Sequence, residues 1–448
     1  MSVRPANVRT IYHFEALPHQ RWSRLTTTLL IAVFFSGIFE GAARKWLLPT
    51  EIPEVSYIAY LSKFIAFWLI YLAVPASAPL SRSLYEWRRY LLAGLVMLLS
   101  GALLSAFSGF SVAGGFLTVV MVAAGPVLAY LATPIIRMAN LRQVLQWIAV
   151  MSLFPAVLGL IQFELPVTHV LNKYVGDSGW TAVITDLGRV RATGTFSFIS
   201  GMTAMTVLGV WSGMSLRALS AKARDQSLGL FAVVAGFTSG FAALSRSAVF
   251  MGLALVAVRL LFVGRDRQLL ILIVVGMLGY GYLSVDRPTS QVELKVTLVS
   301  GVFIRQSRSD SVLDRFGSWA TQLSDAIDTV PLGNGFGVNQ IGGRAVETGR
   351  RVLVSYEAEL ARLVAEVGVP GVLGVLVIRI GLLLVLFHAW RGMVNSPVRD
   401  ALLLSIAALS LFFVSNTAFN HVAAGFVWPI AAIALAWASN GKKVGASR

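Results

Sequence analysis

Five side chains that can carry charge or a proton crowd into one stretch, SYEAELARLVAEVGVPGVLGVLVI, Ser355 to Ile378. Tyr356, Glu357, Glu359, Arg362 and Glu366 stand in front of Gly-Val-Pro-Gly, and an apolar run follows. With Tyr356 to Val367 helical at about 100° per residue, Glu359, Arg362 and Glu366 fall within about 60° of one another. Neighbouring opposite charges of that kind form a structural salt-bridge stripe on a helix surface. Glu357 projects roughly 160° away, beside Leu360, Ala361 and Val364. Desolvation on an apolar face favours the protonated carboxyl unless a cation restores the charge. That is the setting of a general base or of a cation-paired ligand group. Glu357 is the candidate base, and a structural pair with a nearby arginine is the competing reading.

The second set of residues is cationic. Arg191 lies in RVRATGTF and Arg246 in LSRSAV, each among small hydroxyl residues: Thr193 and Thr195, then Ser245 and Ser247. Further on, Arg287, Lys295, Arg305, Arg308, Arg315, Arg344, Arg350 and Arg351 gather in the stretch 286–369. The planar guanidinium fork matches phosphate and diphosphate oxygens in pairs, so an anionic ligand is expected for the cluster. For any single arginine, solvated charge in a long translocated loop is the alternative.

The elements that position these groups are membrane helices. Hydrophobic residues make up 56% of the chain, charged residues 13%, and mean hydropathy is +0.74. Soluble domains lie near about 45–50% apolar and 25% charged, so the composition is that of a polytopic membrane protein. Spans of about 20 apolar residues are expected at 25–43, 55–74, 88–107, 111–132, 144–163, 195–216, 228–244, 247–263, 268–285, 370–390, 401–418 and 422–439. The first is preceded by a polar arm, lacks an A-x-A cleavage pattern and is read as retained. The fold class is thus all-α: a single membrane domain over 1–448 with about twelve spans.

Alternation of those spans places the basic residues on one side. Arg4, Arg9, Arg21 and Arg24 precede the first span, and Arg82, Arg88 and Arg89 precede the third. Arg137, Arg142, Arg217, Lys222, Arg224, Arg265, Arg267, Arg391, Arg399, Lys442, Lys443 and Arg448 fall on the same side. By the positive-inside rule that side is cytoplasmic, with both termini there. The net charge of +16 is accounted for in this way, with no call for nucleic acid. The opposite face carries loops 164–194 and 286–369. Within the second, Asp310 to Asp328 has helical spacing, with Val312, Phe316, Trp319 and Leu323 on one stripe. Arg259 and Arg379 lie inside expected spans, where snorkelling or a carboxylate partner such as Glu40 is expected. The chain has no cysteine, and His13, His19, His169, His388 and His421 show no metal-ligand spacing. No Asp-x-Asp pair is present, and no metal or cofactor is expected.

RATGTF before a span, SRSA before the next hairpin, Arg315-x-x-x-Trp319, Pro331-Leu332-Gly333-x-Gly335, and L-x-x-L-x-A-E-x-G-x-P-G entering a span occur in that order. Over roughly 189–390 the chain resembles the bacterial O-antigen ligase and O-antigen polymerase superfamily. The resemblance implies a metal-independent GT-C glycosyltransferase of the inner membrane. Such an enzyme takes an undecaprenyl-diphosphate-linked glycan as donor on the periplasmic face and passes it to a glycan or lipid A core acceptor. Arg191, Arg246 and Arg315 match family arginines that bind the diphosphate; Arg305 and Arg308 are further candidates without a motif anchor. Where many members carry the histidine that activates the acceptor, this chain has Glu357, and a carboxylate can take the same proton. That departure from the ligase pattern favours a polymerase-like role over a ligase. A transporter or flippase, or a non-catalytic part of a polysaccharide assembly with other proteins, is the reading from a different class. Transporters of this size often show two related halves with charges at the membrane midplane, and here the charges gather in the loops.

Overall fold

The computed structural model describes residues 16–47, 69, 81–107, 112–136, 138–173, 190–196, 198–263, 312–333, 356, 358–415 and 421–445. Among them every regular element is a helix. In chain order these are α1 (Ala16–Ala42), continued by a π-helical turn (Ala43–Leu47), α2 (Arg82–Phe107), α3 (Val112–Ala132), α4 (Met138–Met151) and α5 (Leu153–Glu164). Then come α6 (Ile199–Leu219), α7 (Ala223–Ala242), α8 (Arg246–Val258), α9 (Val312–Thr329), α10 (Glu359–Arg391), α11 (Pro397–Val414) and α12 (His421–Gly445).

Among the described residues, six stretches are long and apolar enough to cross a membrane: Thr27–Leu47, Arg82–Ser105, Asn140–Glu164, Ile199–Leu219, Glu359–Arg391 and Pro397–Val414. They overlap the expected spans 25–43, 88–107, 144–163, 195–216, 370–390 and 401–418. Expected spans 111–132, 228–244, 247–263 and 422–439 also fall on helices. Those at 55–74 and 268–285 lie, apart from Leu69, outside the described residues.

Close packing of small residues holds the bundle together, because apolar side chains gain little by leaving lipid for one another. A Cβ at Gly101 of α2 would collide with the Val367 carbonyl, and one at Gly94 would lie 2.5 Å from the Gly374 carbonyl of α10. On α6 and α7, a Cβ at Gly213 would collide with the Gly229 carbonyl. Helix α6 is the centre of the bundle, buried almost throughout, and the run Phe426 to Ala438 of α12 is buried with it. Trp211 of α6 anchors this centre by donating from Nε1 to Ser405 Oγ at 2.8 Å.

Two polar clusters mark the two ends of the bundle. At one, the ends of α1, α5 and α7 meet the starts of α6 and α8. At the other, the start of α4 meets the α6–α7 connection through Arg142, Asp225 and Ser220.

Candidate functional site

The loop 190–196, which carries the RATGTF motif, is a hub at the first of these ends. Gln162, buried near the end of α5, accepts the Thr193 and Gly194 backbone N–H groups on its Oε1 at 3.1 and 2.7 Å. Its Nε2 donates to the Leu171 and Gly194 carbonyls. Lys45, from the turn after α1, donates from Nζ to Thr193 Oγ1 at 2.8 Å and to the Gly194 carbonyl at 2.9 Å. Gly194 adopts a φ of +55° against Pro155 and Met202, a position that tolerates no side chain. Phe196 then plugs the loop into the core, edge-on to Phe426 of α12 at 6.2 Å.

This hub is joined directly to the SRSA motif. Ala192 N donates to the Ala242 carbonyl at 3.1 Å, and Arg191 Nε donates to the Ala243 carbonyl at 3.1 Å. Two residues after Ala243, Ser245 caps α8 by accepting the Ala248 N–H, and it sits 3.2 Å from the Thr203 hydroxyl. Arg246 is the first residue of α8; only its backbone is described. The backbones of Arg191 and Arg246, about fifty residues apart in sequence, therefore belong to adjoining turns.

A second junction joins the two later motifs. The backbone of Pro331-Leu332-Gly333 lies on the backbone of Glu366 to Val369: the Val369 N–H donates to the Pro331 carbonyl at 2.9 Å. Both glycines have positive φ, +79° at Gly333 and +67° at Gly368. A Cβ on Gly333 would sit 2.5 Å from Gly368 N, and one on Gly368 would sit 2.7 Å from the Leu332 carbonyl. Only glycine allows this approach from either side. Helix α9 completes the junction: Gln322 Oε1 accepts the Ala358 N–H at 2.9 Å and Asp325 accepts the Tyr356 hydroxyl at 3.0 Å. Burial, and then Asp325, push the Tyr356 phenol above the ordinary tyrosine value. Arg315 lies on α9 with only its backbone described.

The salt-bridge stripe expected on the helix before Gly368 is overturned. Glu359 and Glu366 are buried, and Glu359 Oε1 meets Arg379 Nη2 at 2.5 Å in an almost fully enclosed pair. Twenty residues of straight helix would separate those two by about 30 Å. The helix can bring them together only by doubling back at Gly368, where φ and ψ of 67° and 177° break the helical course. The short arm Glu359–Val367 is thus packed inside the bundle, and a helical-surface projection does not apply to it. Arg379 also reaches the Phe413 ring and carbonyl of α11. Of the two expectations for Arg379, snorkelling or an internal carboxylate partner such as Glu40, it has the carboxylate partner, which is Glu359; Glu40 pairs with Arg44 at 3.2 Å.

Regular helix begins at Glu359, with Ala358 at the N-cap position and no side-chain cap. Glu357, Arg305 and Arg308 lie outside the described residues. The structure thus brings together the backbones of Arg191 and Arg246, and separately those of the 331–333 and 366–369 turns. Lys45 is the residue that sequence reading passed over. Its signal was a basic pair, Arg44-Lys45, closing the first expected span. Among the described residues no three His, Asp or Glu side chains gather where they could hold a metal ion. Comparison with family models and with curated proteins finds no match for this chain.

Proposed function

We propose that this chain is a multi-pass glycosyltransferase of the bacterial inner membrane, of the O-antigen or exopolysaccharide polymerase kind. In this reading about twelve spans leave both termini in the cytoplasm, and 286–369 contributes the catalytic loop on the periplasmic face. The donor is an undecaprenyl-diphosphate-linked glycan. An acceptor sugar hydroxyl gives its proton to the Glu357 carboxylate as its oxygen attacks the anomeric carbon from the face opposite the diphosphate. The bond from that carbon to the diphosphate oxygen breaks with inversion. Arg191, Arg246 and Arg315, aided by Arg305 and Arg308, meet the charge that develops on the departing undecaprenyl diphosphate.

The observation that supports this reading is the convergence of motifs distant in sequence. RATGTF is hydrogen-bonded to the turn that leads into SRSA, and the Pro-Leu-Gly turn is seated on the E-x-G-x-P-G turn. Each of these two junctions joins a pair of motifs distant in sequence, as parts of a shared site would be joined.

The test is turnover by purified protein on a defined undecaprenyl-diphosphate glycan, with and without a lipid A core acceptor and without an energy source. Elongation of the lipid-linked glycan in the absence of lipid A core is the expected outcome; transfer only to lipid A core would make it a ligase. Glu357→Gln should lower turnover by about 10²–10⁴-fold. Arg191→Lys, Arg246→Lys and Arg315→Lys should each impair it, because they keep charge and lose the fork, and alanine should be worse. No turnover by the wild-type protein with either acceptor would remove the enzyme reading in favour of a carrier or scaffold.

A further inference from the structure

At the end of the bundle opposite the 190–196 loop, α4 and α7 leave a groove of about 570 Å³ that opens sideways. Arg142 and Arg224 stand in its wall with Gln143 and Gln146, and Trp147, Val150 and Leu228 complete it. Arg142 is anchored from behind. Asp225, fully buried, receives its guanidinium at 2.6 Å, Gln146 Nε2 at 2.7 Å and the Ser220 hydroxyl. Burial alone would raise the Asp225 carboxyl, but the bonds from Arg142, Ser220 and Gln146 prevail and hold it below the ordinary carboxylate value. The Arg142 and Asp225 charges cancel, and the exposed Arg224 leaves the groove one positive charge in excess.

The rest of the groove is apolar and faces outward from the bundle. Trp147 is 48% exposed, and beyond it along the same faces Phe154 and Phe231 are 56% and 61% exposed. A cationic head beside an interfacial tryptophan, continued by an apolar furrow along two membrane helices, matches the two chemistries of one molecule. We infer that this groove binds an anionic phospholipid, its phosphate at Arg224 and Arg142 and an acyl chain along Val150, Leu228 and Phe231. A zwitterionic headgroup brings its own cation and gains less from the excess charge. Inorganic phosphate would use the arginines and leave the furrow empty.

The experiment is native mass spectrometry of the full-length protein, delipidated and then offered phosphatidylglycerol, phosphatidylcholine or inorganic phosphate. Wild-type protein should retain phosphatidylglycerol in preference to phosphatidylcholine and should not retain phosphate. Arg224→Gln, at an exposed position, should weaken phosphatidylglycerol binding roughly fivefold, the contribution of one basic residue near an anionic lipid. Arg224→Glu should weaken it further. Arg142→Gln combined with Asp225→Asn removes the second cation without stranding a buried charge, and should also lower retention. Equal retention of the two lipids, or phosphatidylglycerol binding unchanged in both Arg224 variants, would overturn the assignment. Binding of inorganic phosphate as tight as that of the lipid would do so too, and would make the groove a simple anion site.

Discussion

Glu359 and Arg379 meet at 2.5 Å although they stand twenty positions apart along one continuous segment, and neither is more than a few per cent exposed. The pair closes the hairpin whose tip is Gly368. Breaking a buried ion pair from one side strands the other charge at a cost of about 3–5 kcal/mol, whereas replacing both partners with apolar groups is often neutral. Glu359→Gln and Arg379→Met should each lower the thermal midpoint of the purified protein strongly. The double variant Glu359→Leu with Arg379→Met should recover most of that loss. Additive loss in the double variant would mean that the two residues act independently.

Gly368→Ala tests the junction of the two turns. The new Cβ would collide with the Leu332 backbone at a φ of +67°, where other residues lose about 1–3 kcal/mol to strain alone. Gly317 in α9 is the control, since nothing lies within 4 Å of its missing Cβ. Gly317→Ala should therefore stabilise by roughly 0.5–1 kcal/mol through helix propensity. Thermal midpoints of the two variants should move in opposite directions.

Lys45→Met removes both hydrogen bonds that tether the RATGTF loop to α1, at about 1–3 kcal/mol for the buried groups left behind. With the loop carrying Arg191, turnover should fall beyond what the loss of stability explains. Assaying well below the unfolding midpoint separates the two effects. Wild-type turnover in this variant would limit Lys45 to a structural role.

Hydropathy and helical phase made much of this legible from sequence. Among the described residues, the six helices long and apolar enough to cross a membrane fall where apolar runs predicted them, because span length is a local property. Motif order pointed to Arg191 and Arg246, whose turns adjoin. The misreading of Glu359 has a physical source: phase on a helix says which residues share a face, not what that face meets. The reversal at Gly368 depends on Leu332, some thirty-six residues upstream, and only the folded chain displays it. Lys45 was hidden for the same reason, since its partners Thr193 and Gly194 come from far along the chain.

Asp225 gives the opposite end of the bundle a pH dependence. Its carboxyl is held below the ordinary value in the folded protein, so the charged form contributes stability above the unfolded value of about 3.9. That contribution is lost as pH falls through the lower folded value. The wild-type thermal midpoint should therefore drop more steeply below about pH 4 than that of Arg142→Gln with Asp225→Asn. Parallel curves would show that Asp225 does not drive the acid transition.

The topology itself can be read chemically, because the chain has no cysteine. In intact cells with a permeable outer membrane, an impermeant maleimide should label Ser309→Cys at once and Ala221→Cys only after the inner membrane is broken. The reverse order would place the arginine-rich loop in the cytoplasm and remove the periplasmic site.

The junction of α9 with the Gly368 hairpin also bears on how this chain can diversify. The stretch 334–355 starts after Gly333, seated on Gly368, and returns at Tyr356, tied to Asp325 about one turn before the end of α9. Both of its ends are fastened to one clasp, roughly 13 Å apart by the length of the intervening helical arm. Closing a loop between fixed points depends only weakly on how many residues it contains. Insertions, deletions or wholesale exchange of 334–355 should therefore leave the bundle folded, and a single protease cut within it should leave the two halves assembled. New specificity arises most readily in stretches whose ends are held by a fixed scaffold in this way.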